Sequence, residues 1–262
     1  MQCSGEKRPK KQSMTRPCII VVPCYNEETR FPLDYFTSFV DANPSIHFLL
    51  VNDGSTDNTI AVLRLASAGR EDQVGVIDQP RNGGKGEAVR TGVLAAIHQP
   101  GCLYAGFWDA DMATPLIMIV DLMNVLVTQP EVAMVLGARV KLLGRHVERR
   151  AVRHYLGRTF ATVASMVLRL PVYDTQCGAK IFRVTETTAE LFAHPFDSRW
   201  VFDVEIIARF IRQRHYDMAS VEKAIYEFPL PEWRDVAGSR VRPRDFFRAF
   251  FDVLKIYRRY SP

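Results

Sequence analysis

The segment Leu103-Tyr-Ala-Gly-Phe-Trp108 runs directly into Asp109-Ala-Asp111, and Thr114-Pro115 follows. The apolar run predicts a buried strand, and the proline predicts the start of the next helix. Strand side chains alternate faces, so carboxylates at positions i and i+2 point the same way. Two like charges beside a buried strand need a cation, and Mg²⁺ commonly binds one or two carboxylates together with substrate phosphates. The segment therefore predicts a Mg²⁺ or Mn²⁺ site at Asp109 and Asp111, with a solvated loop as the alternative.

Outward from this segment, short apolar runs alternate with helical patterns from residue 17 to about 140. The predicted strands are 18–22, 46–51, 74–77, 103–108 and 132–136, and the predicted helices are 31–43, a helix capped by Ser55 or Thr56 that runs to Ala68, 85–97 and 115–129. This alternation predicts an α/β fold with a Rossmann-like, mainly parallel sheet flanked by helices. Ligands of such sheets bind outside the carboxyl ends of the strands. The polar residues that follow predicted strand ends, and so share one predicted crevice, are Glu27, Asp53, Lys85, Asp109 and Asp111.

The pattern changes after about residue 140. A basic cluster between Arg139 and Arg158 contains only one acid, Glu148. Beyond it we predict an apolar helix over 160–170, a loop around Asp174, a short strand over 180–182 and a helix over 203–213. The predicted last helix, 244–260, is amphipathic. Its predicted apolar stripe consists of Phe246, Phe250, Leu254 and Tyr257, which would rest on anionic lipid or pack on the domain.

Composition narrows the classes of protein. The chain has 262 residues, 47% of them hydrophobic, which is enough for one sizeable core. We predict a disordered basic arm over 1–16 and a single domain over 17–262, with a ligand-binding half (17–140), a second half (141–243) and the last helix (244–260).

The net charge of +5 is modest and clustered, which favours an anionic ligand over nucleic acid. Five cysteines without a C-x-x-C pair indicate a reducing compartment. No apolar stretch reaches the roughly 20 residues of a membrane span. We therefore expect a cytoplasmic protein, or one that lies on the cytosolic face of a membrane.

Four segments together resemble the inverting, nucleotide-sugar-dependent glycosyltransferases of family 2, which have the GT-A fold. They are Val22-Pro-Cys-Tyr-Asn-Glu27, Val51-Asn-Asp-Gly-Ser-Thr-Asp-Asn-Thr59, Asn82-Gly-Gly-Lys-Gly-Glu-Ala-Val-Arg-Thr-Gly92 and Asp109-Ala-Asp111. Three carboxyl-terminal segments look like the dolichyl-phosphate (polyprenyl-phosphate) glucosyltransferase branch. They are Asp174-Thr-Gln-Cys-Gly-Ala-Lys-Ile-Phe-Arg183, Arg199-Trp-Val-Phe-Asp-Val-Glu205 and Trp233-x4-Gly-Ser-Arg240. Ala113, where mannosyl-transferring relatives often carry a polar side chain, is closer to the glucosyl branch.

The resemblance implies transfer of a hexose, most simply glucose, from a UDP-sugar to a polyprenyl phosphate. It implies that Asp53 accepts a hydrogen bond from the base, although a turn aspartate that bonds its own backbone is the structural alternative. Asp111 is the more direct of the two metal ligands, and the metal would neutralise the departing diphosphate. The implied nucleotide-sugar-binding residues are Pro23, Tyr25, Glu27, Asp53, Lys85, Asp109, Ala110 and Arg139.

The acceptor side has its own candidates. Asp174, Asp203 and Glu205 are candidate bases, because an alcohol acceptor needs one. A phosphate acceptor is already ionised, so these acids would then orient a substrate. Asp203 could also be a helix N-cap, with Glu205 in the first turn. Guanidinium groups match phosphate bidentately, so the basic cluster could hold the acceptor phosphate, or it could be a solvated basic face. The predicted acceptor-phosphate residues are Arg149, Arg150 and Arg240.

Other functions stay open on the sequence alone. A polyprenyl-phosphate mannosyltransferase would use GDP-mannose, and another family 2 transferase would use a sugar hydroxyl as acceptor. A nucleotidyltransferase also combines an α/β sheet with a metal-bound carboxylate pair, but no Gly-rich basic loop follows the first strand. A non-catalytic sugar-nucleotide-binding module would not need to retain the paired acids.

Overall fold

The computed structural model describes residues 17–140, 146–148, 151–234 and 243–260. The predicted basic arm over 1–16 lies outside these residues. The strands are β1 (Cys18–Cys24), β2 (Ile46–Asp53), β3 (Val74–Gln79), β4 (Tyr104–Trp108), β5 (Met134–Ala138), β6 (His146–Glu148), β7 (Ala179–Arg183), β8 (Ile225–Pro229) and β9 (Glu232–Arg234). The helices are α1 (Leu33–Ala42), α2 (Thr59–Ser67), α3 (Lys85–Ile97), α4 (Met118–Thr128), α5 (Ala151–Leu168), α6 (Glu186–Ala193), α7 (Phe202–Gln213), α8 (Met218–Ala224) and α9 (Pro243–Tyr260).

The main sheet has seven strands in the order β3-β2-β1-β4-β7-β5-β8. Most neighbouring pairs are parallel, which confirms the predicted α/β fold. The exception is β7, which runs antiparallel to both β4 and β5. The sheet is therefore mixed, and β7 lies between β4 and β5. A second, two-stranded sheet pairs β6 with β9 in parallel.

Helices cover both faces of the main sheet, as a twisted sheet with two apolar faces requires. One apolar core contains side chains of α3, α5, α7 and α9. The other contains side chains of α1, α2 and α4. The carboxyl ends of the parallel strands β1, β2 and β4 meet at one edge between these layers, and the functional side chains described below lie there.

Several predicted boundaries were wrong. Neither Ser55 nor Thr56 caps α2, because the hydroxyl of Ser55 accepts from the backbone N–H of Asn26, the hydroxyl of Thr56 donates to the side chain of Asn26, and the N-cap position is Asn58. The carboxylate of Asp57 instead accepts from the first helical N–H, and α2 begins at residue 59. The first helix is Leu33–Ala42 instead of 31–43, the fourth begins at Met118 instead of residue 115, and the fifth strand is Met134–Ala138 instead of 132–136.

The carboxyl-terminal half differs more from prediction. Helix α5 begins at Ala151, nine residues before the predicted start. The sequence analysis did not predict α6, α8, β6, β8 or β9. The N-cap of α7 is Val201, so the interpretation of Asp203 as a cap was wrong.

The last helix, α9, confirms an amphipathic element but not the predicted stripe. Among its described side chains, 249–260, the buried ones are Ala249, Val253, Ile256 and Tyr260, and the side chain of Phe246 lies outside this range. Phe250 is half-buried and contacts the ring of Phe160, whereas Leu254 and Tyr257 are exposed. The core therefore takes up a face rotated from the predicted one, because α9 packs between α5 and α7. Within the described part of the chain, no helix is both long and apolar enough to cross a bilayer.

Candidate active site

The two acids that follow β4 lie at the centre of the candidate site. The backbone N–H of Asp109 donates to the carbonyl of Gly178 at 3.0 Å, which fixes the end of β4 against the strand beside it. Lys85, the first residue of α3, places its Nζ 2.5 Å from the Asp109 carboxylate. Asp111 accepts a hydrogen bond from the N–H of Ala113 at 3.1 Å, which closes the turn after the strand. The predicted crevice residues from β4 and α3 are therefore brought together.

The charges at this centre are unequal. Burial alone would raise the pKa of Asp109, but Lys85 and more distant cations lower it below its usual value. Burial alone would lower the pKa of Lys85, but Asp109, Asp203 and Asp111 raise it. Burial and the neighbouring Asp109 raise the pKa of Asp111. The negative charge of Asp111 is therefore less completely compensated than that of Asp109.

The amino-terminal loop after β1 reaches the same centre. Arg30 places one guanidinium nitrogen 3.4 Å from Glu27 and another 3.8 Å from Asp111. Glu27 is further fixed through its backbone N–H, which donates to Thr59 at 2.7 Å. Pro23 and Tyr25, predicted to line the nucleoside, lie at the end of β1 and directly after it, and both are partly buried. Ala110 is buried between the two acids.

Asp53 performs a different local task from either prediction. It is the last residue of β2, and its two carboxylate oxygens accept hydrogen bonds from the backbone N–H groups of Gly83 and Gly84 at 2.7 and 2.9 Å. It therefore bonds a distant loop, not its own backbone, and holds the turn that delivers Lys85. The next residue, Gly54, has φ +58°, and a Cβ there would overlap the backbone of Arg81. Contact with a base stays a prediction.

A second acid–base pair lies beneath the Asp109–Lys85 pair. Lys180, in the middle of β7, is buried, and its Nζ lies 2.5 Å from the Asp203 carboxylate and donates to the carbonyl of Cys177. Burial raises the pKa of Asp203 despite the neighbouring lysines 180 and 85. Asp203 thus stands between two lysines, one buried in the sheet and one in the crevice.

Asp174 and Arg139 form a third pair at the far side of the crevice. The guanidinium of Arg139 donates to both carboxylate oxygens of Asp174 at 2.7 and 2.8 Å, and its face lies over the ring of Trp233 with the centroid at 5.4 Å. Glu227 on β8 accepts from the backbone N–H groups of Tyr173 and Asp174, which fixes the loop that carries this acid. The charge of Asp174 holds the pKa of Arg139 above its usual value, although burial opposes this.

Glu205 lies away from the crevice. Its carboxylate is buried against Arg209 at 2.7 Å, accepts from the hydroxyl of Tyr260 at 2.9 Å and accepts from the backbone N–H of Asp197. It joins α7 to α9, so the structure does not support it as a base. The predicted acceptor-phosphate residues Arg149, Arg150 and Arg240 lie outside the described residues.

The sequence analysis missed four contributors. Arg30 comes from a loop and carries no periodic signal. Glu227 acts through two backbone groups, which no spacing reveals. A lysine inside the apolar run of β7 was a readable signal for Lys180, because a buried charge needs a partner. Gly178 leaves space for the acid pair, since a Cβ at this position would overlap the Asp109 carboxylate.

The donor set fits a hard divalent cation. Asp109 and Asp111 supply two carboxylates on one side of the strand end, and the negative charge of Asp111 is only partly compensated by Arg30. Among the described residues, no cluster of three histidine, cysteine or acidic side chains is suited to a metal. A cation here would complete its shell with water and ligand oxygens, which is how Mg²⁺ is usually held beside phosphates.

Comparison with known proteins finds matches along most of the chain. The family model described as Glycosyl transferase family 2 matches residues 19–185. A dolichyl-phosphate beta-glucosyltransferase of Trichomonas vaginalis is 31% identical over 248 residues, covering 90% of this chain and 69% of that protein. The dolichyl-phosphate beta-glucosyltransferase of Mus musculus is 31% identical over 245 residues, covering 88% of this chain and 71% of that protein.

A solved structure shares the fold at low sequence identity. Glucosyl-3-phosphoglycerate synthase of Mycobacterium tuberculosis, in complex with Mn²⁺ and UDP-glucose, matches with a TM-score of 0.62 and 18% identity, covering 92% of this chain and 79% of that chain. This match confirms the GT-A fold that the sequence motifs predicted.

Proposed function

Because the chain is a glycosyltransferase of family 2, we propose that it transfers glucose from UDP-glucose to a polyprenyl phosphate such as dolichyl phosphate. The observation that carries this proposal is the paired acid site at the end of β4, with Lys85 on the Asp109 carboxylate and only the longer 3.8 Å contact of Arg30 on the Asp111 carboxylate. The names of the relatives support the choice of glucose and of a lipid phosphate.

Asp109 and Asp111 would hold Mg²⁺ or Mn²⁺ against the diphosphate of the donor. When bound, the cation supplies charge neutralisation for the departing nucleoside diphosphate. Lys85 contacts the Asp109 carboxylate and would move to a phosphate oxygen as the donor enters, because carboxylate and phosphate are both anionic partners for its ammonium. Arg30 and Glu27 would fix the loop beside the nucleoside.

The acceptor class follows from the state of the other acids. Asp174 is held by Arg139, and Asp203 is held by Lys180. An alcohol acceptor would need one of them as a general base, whereas a lipid phosphate is already ionised. The paired state of both acids favours the phosphate acceptor over the sugar hydroxyl.

The reaction is then a direct displacement. An acceptor phosphate oxygen forms a bond to the anomeric carbon while the bond from that carbon to the β-phosphate oxygen of UDP breaks. The leaving electron pair stays on UDP, and no proton needs to move. Attack from the face opposite the leaving group inverts the configuration of the anomeric carbon.

Location at the cytosolic face of a membrane belongs to the same proposal. A polyprenyl phosphate is a membrane lipid, so the crevice must reach a bilayer surface. Cys18, Cys24, Cys102 and Cys177 are all free and buried, which suits a reducing compartment. Nucleic acid has no part in this function.

The test is a donor and acceptor screen with purified protein. Radiolabelled UDP-glucose or GDP-mannose is incubated with a short polyprenyl phosphate, with Mn²⁺ or with EDTA. We expect labelled lipid from UDP-glucose only with the metal present, and a β linkage by NMR of the product. Label on lipid from GDP-mannose alone would reassign the donor, and label on a water-soluble product would overturn the acceptor.

A further inference from the structure

Helices α5 and α9 lie side by side on one face of the domain. The rings of Phe160 and Phe250 contact at 6.2 Å, and the helices converge again near Leu168 and Tyr257. Leu168 and Tyr257, which lie further along α5 and α9, line one pocket, so the two helices run roughly parallel. They form one ridge on the protein surface.

The ridge exposes a continuous apolar surface, which we call the α5–α9 face: Met166, Phe251, Leu254 and Tyr257. These side chains are 73%, 72%, 49% and 41% exposed. The three from α9 follow i, i+3, i+6 spacing, so they share one side of the helix. The α5 segment 159–168 contains no charged residue. Single exposed apolar residues are ordinary, but four on one ridge mark an interaction surface.

A small apolar groove of about 80 Å³ adjoins this face. It lies between the carboxyl ends of α5, α7 and α9. Its apolar lining includes Val167, Leu168, Ile211, Met218, Ile256 and Tyr260.

The charge around the α5–α9 face is positive. Arg169 follows α5, and Lys255 and Arg258 lie on exposed positions of α9. Asp252, the acid in the described 249–260 part of α9, accepts a hydrogen bond from Ser198 at 2.6 Å and so is engaged within the protein. Exposed aromatic and aliphatic side chains flanked by lysine and arginine are typical of helices that lie on anionic lipid surfaces.

The ridge also leads to the crevice. Arg158, near the start of α5, stacks over Tyr173 with the guanidinium carbon 3.8 Å from the ring centroid. Tyr173 directly precedes Asp174, whose carboxylate binds Arg139 in the crevice. Helix α5 is therefore linked through Arg158 and Tyr173 to the loop that carries Asp174.

We propose that the α5–α9 face docks on the anionic surface of a lipid bilayer, with its apolar side chains in the interfacial layer and its cations on the headgroups. The role of this docking in catalysis rests on the proposed function, since it presents a lipid phosphate to the crevice. The docking itself is a property of the surface and does not depend on the donor.

The test compares vesicle binding by the wild type and by matched variants. Co-sedimentation uses vesicles of phosphatidylcholine alone or mixed with phosphatidylserine, at low and high salt. We expect binding to the mixed vesicles that weakens with salt. The double variant Phe251→Glu with Leu254→Glu should bind the vesicles at least about tenfold more weakly. The reason is that it lacks the two apolar side chains whose transfer from water into the bilayer interface favours binding. Leu65→Glu, at a 61% exposed position on α2, is the control and should bind like the wild type.

Turnover separates the two proposals. With a short, water-soluble polyprenyl phosphate, the double variant should keep wild-type turnover, while turnover on a long-chain acceptor in vesicles should fall about tenfold or more. Vesicle binding without any transfer would refute the proposed function and leave the docking proposal standing. Equal vesicle binding by the double variant and the wild type would overturn the docking proposal. So would a lipid-free oligomer that the double variant dissociates, since the face would then bind a second copy.

Discussion

The crevice and the α7–α9 interface each contain a buried acid–base pair, and both acids come from the same turn of α7. Asp203 points toward the sheet and pairs with Lys180, whereas Glu205 points toward α9 and pairs with Arg209. Residues two apart on a helix do not share a face, so adjacent acids serve different regions. The sequence made both of them candidate bases, and the structure separates them.

The difference lies in how completely each pair is enclosed. The guanidinium of Arg209 also donates to the carbonyls of Leu191, His194 and Pro195, and Glu205 accepts from Tyr260. That network is closed and joins three helices. The crevice pair instead continues through Lys85 to Asp109 and ends at Asp111, whose negative charge is only partly compensated by Arg30 at 3.8 Å. An open charge network can accept a ligand, and a closed one stabilises the fold.

The largest expected effect is at the open end of the crevice network. Asp111→Asn removes the carboxylate that faces the predicted cation, so turnover should fall about a thousandfold. The measurement is glucose transfer from UDP-glucose at saturating Mn²⁺. Asp121→Asn, an exposed acid on α4, is the control and should keep wild-type turnover. Near-wild-type turnover of Asp111→Asn would remove the metal site from the crevice.

The closed network should respond in stability instead of turnover. Glu205→Gln leaves the charge of Arg209 buried without its counter-charge, which should lower the free energy of unfolding by about 3 kcal/mol. Urea unfolding measures this, with Glu222→Gln on the exposed surface of α8 as control. Turnover of the folded variant should stay within about twofold of the wild type. A large loss of turnover with unchanged stability would return Glu205 to the list of candidate bases.

Asp203→Asn should lower turnover less than Asp111→Asn does. It should affect turnover more than it affects the free energy of unfolding. The change weakens the hold on Lys180 and removes a negative charge beside Lys85, so turnover should fall about tenfold to a hundredfold. As a positioning residue, Asp203 should couple to Lys85. The turnover losses of Asp203→Asn and Lys85→Met should be non-additive in the double variant. Strictly additive losses would argue against one shared network.

The smallest effect concerns the metal-free protein. The pKa of Asp111 is raised above its ordinary value of 3.8, so its contribution to stability is present at low pH and is lost as pH rises through the raised pKa. Without metal, Asp111→Asn should therefore melt at a higher temperature than the wild type at pH 8, and the difference should shrink at pH 4.

Mn²⁺ and UDP should reverse the order of the two melting temperatures. With Mn²⁺ and UDP present, the wild type should become the more stable protein, because only it binds both tightly. Thermal melts at two pH values, with and without ligands, provide the measurement. A wild type that gains no stability from Mn²⁺ and UDP would contradict the metal site.

Prediction from sequence was accurate where the signals are local. The bounds of α3 were predicted without error, and β4 begins one residue later than predicted but ends where predicted, directly before the acid pair. The carboxyl-terminal half was harder to predict, because the order of its strands in the sheet depends on pairing between segments that are distant in sequence. Insertion of β7 between β4 and β5 and the buried stripe of α9 both depend on which elements pack together, and neither leaves a period in the sequence.

The sequence by itself determined the family, the α/β class and the acid pair, because these depend on short segments in which spacing fixes side-chain direction. The tertiary structure alone decided which charges meet. Arg30 reaches Asp111, Lys180 meets Asp203 and Glu227 fixes the loop of Asp174 only after strands far apart in sequence become neighbours. Electrostatic energy depends on distance and burial in space, so the difference between an open crevice and a closed interface arises only in the folded chain.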